Sequence, residues 1–114
     1  MKLPSIFEKP ENLKRFAAGQ TIFEAGQAPD FMYVVKTGKV DLFKEGRLLE
    51  TVGPDGFFGE LALVDNSTRS ATAKAQSDCA LAPINEKQFL FMVGETPFFA
   101  LDIMRGLAVR FWRV

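Results

Sequence analysis

Turn residues recur roughly every 8 to 12 positions between residues 20 and 84, and the runs between them are short, β-branched and aromatic. Thr21-Ile22-Phe23 precedes Gly26, and Phe31-Met32-Tyr33-Val34-Val35 precedes Thr37-Gly38-Lys39. Val40-Asp41-Leu42-Phe43 alternates apolar and polar up to Glu45-Gly46, and Leu48-Leu49-Glu50-Thr51-Val52 follows. Residues 39–52 therefore read as a hairpin with a half-buried strand pair. Gly53-Pro54-Asp55-Gly56 is a dense turn, and residues 70–75 and 79–84 read as two more strands. Many short strands closed by glycine turns make a sandwich or a jelly-roll barrel.

The two ends follow another period. Residues 10–16 read as a turn of helix before the first strand. Asn85 and Gln88 form a capping-box pattern ahead of Phe89-Leu90-Phe91-Met92-Val93, a short helix that Gly94 is expected to stop. Thr96-Pro97 supplies a capping residue and a first-turn proline for a second helix. In it, Leu101, Met104, Ala108 and Phe111 recur at spacings of three, four and three, the stripe expected to dock on the barrel. Ile103, Leu107, Trp112 and Val114 widen the apolar surface, so part of it suits a second copy of the chain, a homodimer through the C-terminal helix. Arg105, Arg110 and Arg113 fall toward its C-terminal half, where the helix dipole favours cations. The organisation expected is one domain over residues 1–114: an N-terminal segment 1–19, a jelly roll 20–84 and C-terminal helices 85–114.

Composition excludes several functions. Lys plus Arg and Asp plus Glu balance at 14 each, so no general field draws the chain to nucleic acid, and no local basic patch is visible. No run approaches the 18 apolar residues of a membrane span and no secretion signal opens the chain, so the expected place is the cytoplasm, without membrane contact. Cys79 is the only cysteine, so no disulfide forms within the chain, and there is no histidine. Without imidazole, the usual zinc and iron ligands and the usual neutral-pH acid and base are missing, so neither a metal nor a catalytic role is expected.

The segment Phe57-Phe58-Gly59-Glu60-Leu61-Ala62-Leu63-Val64 carries the strongest functional signal. Glu60 to Leu63 is strong helix-forming sequence placed directly after a glycine. One helical turn there leaves its first N–H groups without partners, and Gly59, with no Cβ, lets a ligand approach the backbone. The polar loop Asp65-Asn66-Ser67-Thr68 can fold back to bring Arg69 to the same point, adding one full positive charge. Glu60 would repel an anion unless it accepts hydroxyl protons from a sugar attached to that anion, as acidic residues do in dinucleotide sites. No triphosphate-binding loop of the G-x-x-x-x-G-K-[ST] type is present. A single arginine matches a single negative charge, which points to a phosphodiester, and a cyclic one fits so short a cradle. The same residues also read more simply: Glu60 and Arg69 as a surface ion pair, Gly59 as a turn, Leu61 and Leu63 as core.

Gly59-Glu60-Leu61-Ala62-Leu63 followed by Arg69-Ser70-Ala71-Thr72 resembles the phosphate-binding cassette of cyclic nucleotide-binding domains, the family of bacterial cAMP-receptor regulators, kinase regulatory subunits and cyclic-nucleotide-gated channels. Ile22-Phe23 with Gly26, Met32-Tyr33-Val34-Val35 with Gly38 and Val40, Gly53 with Gly56-Phe57-Phe58, and the closing helices resemble that family's framework over nearly the whole chain. The resemblance implies a mainly β fold: an eight-stranded β jelly roll (double-stranded β-helix) closed by C-terminal helices. It implies that Arg69 binds the cyclic phosphate and Glu60 the ribose 2′-hydroxyl, with the N–H groups of Leu61, Ala62 and Ala71, and the hydroxyl of Ser70, on further oxygens. Phe111 or Trp112 would then stack on the base or pack in the core or a dimer. The ligand expected is cAMP, with cGMP as the alternative; no cofactor is implied. Ligand would draw the closing helices to the barrel and so signal to a downstream effector that the sequence does not identify. Two other readings stay open: a docking module that keeps the barrel but needs no ligand, and a small sugar-binding or isomerase jelly roll indifferent to Arg69.

Overall fold

The computed structural model describes residues 3–112, without the side chain of Trp112. Eight strands form two four-stranded sheets. The strands are β1 (Lys14–Phe16), β2 (Thr21–Phe23), β3 (Met32–Thr37), β4 (Val40–Lys44), β5 (Arg47–Val52), β6 (Phe57–Phe58), β7 (Thr72–Ala75) and β8 (Cys79–Ile84). One sheet has the order β1-β8-β3-β6 and the other β2-β7-β4-β5. Neighbours pair antiparallel throughout, and β4 and β5 make the expected hairpin with Val40 opposite Val52. The mainly β jelly roll with closing helices is thus the observed architecture.

Alternation decides which residues meet. Tyr33, Val35, Val40, Val52, Phe58, Ala73, Ala75 and Leu81 point between the sheets and form one core with Phe23. Alternate residues of β3 and β8, among them Met32, Val34, Ala82 and Ile84, point to the opposite face of their sheet. Helices cover that second face: α1 (Ser5–Glu8) through Phe7, α3 (Glu86–Glu95) through Met92, and α4 (Pro97–Trp112) through Phe99 and Ile103. Both faces of this sheet are therefore buried, which is why its central strands read as continuous apolar runs.

Two local expectations change. Residues 10–16 hold only a 3-10 turn at Pro10–Asn12, after which Lys14–Phe16 joins the sheet edge against β8. The first element of α3 behaves as its sequence implies, since the Asn85 side chain accepts from the Gln88 N–H at 2.8 Å and the Gln88 side chain accepts from the Asn85 N–H at 2.9 Å. Gly94, however, stays inside α3, which ends at Glu95. Thr96 does not cap α4 with its hydroxyl; that group donates back to Met92 O at 2.7 Å.

The docked face of α4 is also not the stripe that periodicity singles out. Phe99 and Ile103 are buried and Leu107 packs with them, whereas Leu101, Met104 and Phe111 are exposed by 38%, 62% and 69%. Both faces are apolar, and the choice follows from shape. Gly106 lies on the docked side, and a Cβ there would collide with the Phe57 ring. Only that side lets the helix approach β6. Trp112's side chain and Val114, counted with the widened apolar surface, lie outside the described residues, as does Arg113.

Candidate ligand-binding site

The chain leaves β6 through Gly59, whose φ of +78° only glycine adopts without strain. That turn sends it into α2 (Leu61–Val64), a single helical turn in which Leu63 N–H and Val64 N–H both donate to Glu60 O, at 3.0 and 3.1 Å. Leu61 opens this turn, so its N–H has no intrahelical acceptor, and the Ala62 N–H closes back on Gly59 O at 3.2 Å. The polar loop then returns as expected. Arg69 is tied at its backbone to the 24–27 turn, its N–H donating to Gln27 O at 2.9 Å and its carbonyl accepting from Gly26 N–H at 2.8 Å.

The Arg69 side chain runs inward, with 3% of it exposed. Its guanidinium lies over the Phe23 ring, 4.0 Å from the centroid. Nη2 donates to Asp30 Oδ1 and to Phe31 O, each at 2.6 Å, and Nη1 donates to Gly59 O at 3.2 Å. A Cβ on residue 59 would stand 2.8 Å from Nη1, so the glycine is needed for contact as well as for the turn. Nε–H is buried and has no partner among the described residues. A buried N–H of a cation without an acceptor is costly, and here it belongs to a residue that walls a cavity.

That cavity has a volume of about 230 Å³. Gly59, Glu60, Leu61, Ala62, Arg69, Ser70 and Ala71, the seven residues singled out by sequence, all line it. The reading of Glu60 and Arg69 as a surface ion pair is overturned: both are buried, and each has other partners. Arg69 pairs with Asp30. Glu60 pairs with Arg110 of α4, whose Nη1 donates to Glu60 Oε1.

Arg110 joins three elements. Its Nε donates to Glu50 Oε1 at 3.0 Å and its Nη2 to Glu50 Oε2 at 3.2 Å, while Nη2 also donates to Phe57 O. Its guanidinium stands 5.0 Å from the Phe57 ring centroid. Burial works against its charge, but the hydrogen bonds it donates to Glu50 and the charges of Glu60 and Glu50 outweigh that and raise its pKa above the ordinary value. Beneath Arg69, Tyr33 stacks with Phe23 and Phe58, and burial, followed by the negative charge of Asp30, pushes its phenol up to about 12 against the opposing charge of Arg69.

Asp30, Glu50 and Arg110 were not read as site residues from sequence. Two of them carried a signal. Arg110 is in phase with Phe99, Ile103 and Leu107, so a cation sits on the buried stripe, and Glu50 alternates with the inward Val52, so a carboxylate sits on the inner face of a strand. Asp30 carried none. Among the described side chains of α4, the one that lines the cavity is Arg110; Phe111, expected to stack on a base or to pack in the core or a dimer, is exposed by 69% and is not part of the lining. Among the described residues no group of acidic or cysteine side chains is placed to hold a metal, and no helix is long and apolar enough to cross a membrane.

With this geometry in place, comparison with known proteins finds that residues 13–96 match the family model of the cyclic nucleotide-binding domain. The cAMP-dependent protein kinase regulatory subunit of Eremothecium gossypii is 42% identical over 76 residues, which cover 67% of this chain and 17% of the relative. The cyclic AMP receptor protein of Thermus thermophilus is 33% identical over 100 residues, covering 83% of this chain and 46% of that protein. The chain thus spans less than half of either relative's length. A solved structure from work on a cyclic-GMP-dependent signalling pathway that regulates bacterial phytopathogenesis superposes with a TM-score of 0.74 at 37% identity, over 86% of this chain and 81% of that one.

Proposed function

Because the chain belongs to the cyclic nucleotide-binding domain family, we propose that its cavity binds cAMP, with cGMP as an alternative ligand, and that the domain is a non-enzymatic cytoplasmic sensor. The observation that carries this reading is the buried Nε–H of Arg69, without a partner among the described residues, on a side chain that walls a cavity together with the glycine-led turn of α2. A cyclic phosphate is a monoanion. It would accept from Nε–H and from the N–H groups of Leu61, Ala62 and Ala71, with Gly59 allowing the close approach and Ser70 adding a hydroxyl. Arg110 occupies Oε1 of Glu60, so Oε2 is the oxygen that would accept the ribose 2′-hydroxyl.

The same ion pair carries the signal. Glu60 belongs to the cassette and Arg110 to α4, so a ligand that redirects the Glu60 carboxylate changes what holds the C-terminal half of α4. Two arrangements of α4 with different ligand affinity are all that a population shift needs. Thermal melts with cAMP, cGMP and AMP test the reading: either cyclic nucleotide at about 100 times its dissociation constant adds about 2.7 kcal/mol, a rise on the order of 10 °C. AMP, with its dianionic open phosphate, gives a smaller shift. No shift with either cyclic nucleotide would refute the proposal.

A second reading, a docking module that works without ligand, is favoured by one observation. Leu101, Met104 and Phe111 keep heptad spacing on the side of α4 turned away from the barrel. A homodimer through this seam, or a downstream effector seated on it, would bury it. Concentration-dependent mass with unchanged melts in every nucleotide would favour this reading.

A further inference from the structure

Glycine is among the poorest helix formers, yet Gly106 sits in the interior of the 16-residue helix α4. Its backbone is helical, so no left-handed φ calls for glycine there. The Phe57 ring does. An added Cβ would collide with Cζ of that ring and stand 2.9 and 3.2 Å from Cε1 and Cε2. Three contacts keep the ring from swinging aside. Phe57 pairs with Val34 in the sheet, its side chain packs against the cluster that includes Phe99 and Ile103 of α4, and the Arg110 guanidinium stands 5.0 Å from its centroid. The bare face of Gly106 therefore sets how closely α4 approaches β6.

Gly106 and Arg110 are four positions apart, so one helix face presents both to Phe57. Arg110 completes the grip by donating from Nη2 to Phe57 O, and from that seat its Nη1 reaches Glu60 Oε1. Neither Gly106 nor Phe57 lines the ligand cavity. Resting on the Glu60 assignment above, we propose that Gly106 is a positioning residue for nucleotide binding. By seating the Phe57 ring it places Arg110, and Arg110 in turn holds the Glu60 carboxylate toward the ribose 2′-hydroxyl.

The geometry makes the effect selective for one part of the ligand. A methyl group at position 106 forces α4 and β6 apart, and a shift on the order of 1 Å takes Nη1 out of hydrogen-bond range of Glu60. Arg69 is held instead by Asp30, Phe31 O and Gly59 O, none of them in α4. The phosphate contact therefore survives a displacement that disorders the contact to the sugar.

Calorimetric titration of cAMP and 2′-deoxy-cAMP tests this in four proteins: the parent, Gly106→Ala, Phe57→Leu and the double variant, each first shown to unfold cooperatively in urea. In the parent, a hydroxyl donating to a carboxylate makes cAMP bind about tenfold more tightly than its deoxy analogue. In Gly106→Ala, cAMP is expected to weaken about tenfold and the deoxy analogue less than about threefold, so the preference disappears. Leucine lacks the outer half of the ring with which the added Cβ collides. Phe57→Leu alone leaves a gap beside Gly106 and lowers the preference; adding Gly106→Ala fills the gap and raises it. The same substitution thus has opposite signs in the two backgrounds. Should Gly106→Ala alone not fold, the rise from Phe57→Leu to the double variant remains the test. If Gly106 serves packing alone, its substitution weakens both ligands equally, or neither, and the reversal is absent, which overturns the proposal while leaving nucleotide binding intact. A parent that binds both ligands equally would remove the role of Glu60 and this inference with it. A parent that binds no cyclic nucleotide would overturn the functional reading itself.

Discussion

Replacing Arg110 by Met removes a cation that α4 shares with β5, β6 and the cassette while keeping an unbranched side chain on the docked face. The Glu60 side chain is 4% exposed, so it loses its charge partner inside the protein. Removing one member of a buried pair costs about 3–5 kcal/mol. Arg110 and Glu50 are 24% and 21% exposed, so water reaches part of the cluster and the ionic share falls to about 2 kcal/mol. Phe57 O loses its Arg110 donor as well, worth about 1 kcal/mol. The expected loss is therefore about 3 kcal/mol, a drop of about 1–2 M in the urea midpoint. Adding Glu60→Gln to Arg110→Met should recover about 1 kcal/mol, because the group left behind is then uncharged. A single variant within 0.5 kcal/mol of the parent, or no recovery in the double variant, would refute the idea that this cluster ties α4 to the cavity.

Three further outcomes follow from other parts of the site. Gly59→Ala imposes a Cβ at positive φ and 2.8 Å from Arg69 Nη1, so it should lose about 2 kcal/mol in urea denaturation and weaken nucleotide binding with it; a neutral effect would mean the turn is not required. Tyr33 is the only tyrosine, so phenolate absorbance in the folded protein should rise only near pH 12. Its folded pKa lies above the ordinary 10, so the stability it contributes is present below pH 10 and lost as pH rises toward 12; native ionisation near 10 would contradict its packing under Arg69. Burial, reinforced by the charge of Asp78, raises the Cys79 thiol against a hydrogen bond from the Phe16 backbone, so a disulfide reagent should label it only as fast as the domain unfolds.

Much of the β framework was legible because turn glycines and alternation act locally. The β4–β5 hairpin, β3 and β8 needed only these. β1 and β6 were missed as strands for a physical reason: Lys14-Arg15-Phe16 is an edge segment with little apolar content, and Phe57-Phe58 is two residues long. Their pairing comes from β8 and β3, partners distant in sequence. The α4 face was misread because apolar residues lie on both sides and the decisive fact, the Phe57 ring against Gly106, is tertiary. In the site, the seven cassette residues could be named because they lie within one short segment. Their partners could not, since Asp30 and Arg110 reach the cassette from 39 and 50 residues away.

The most direct measurement is calorimetric titration of cAMP into the parent domain and into Arg69→Ala, each first shown by urea denaturation to be folded. Loss of a desolvated charge contact predicts a Kd more than a hundredfold higher in the variant, about 3 kcal/mol. Equal affinity in the two proteins would contradict the claim that the buried guanidinium of Arg69 is what holds the cyclic phosphate.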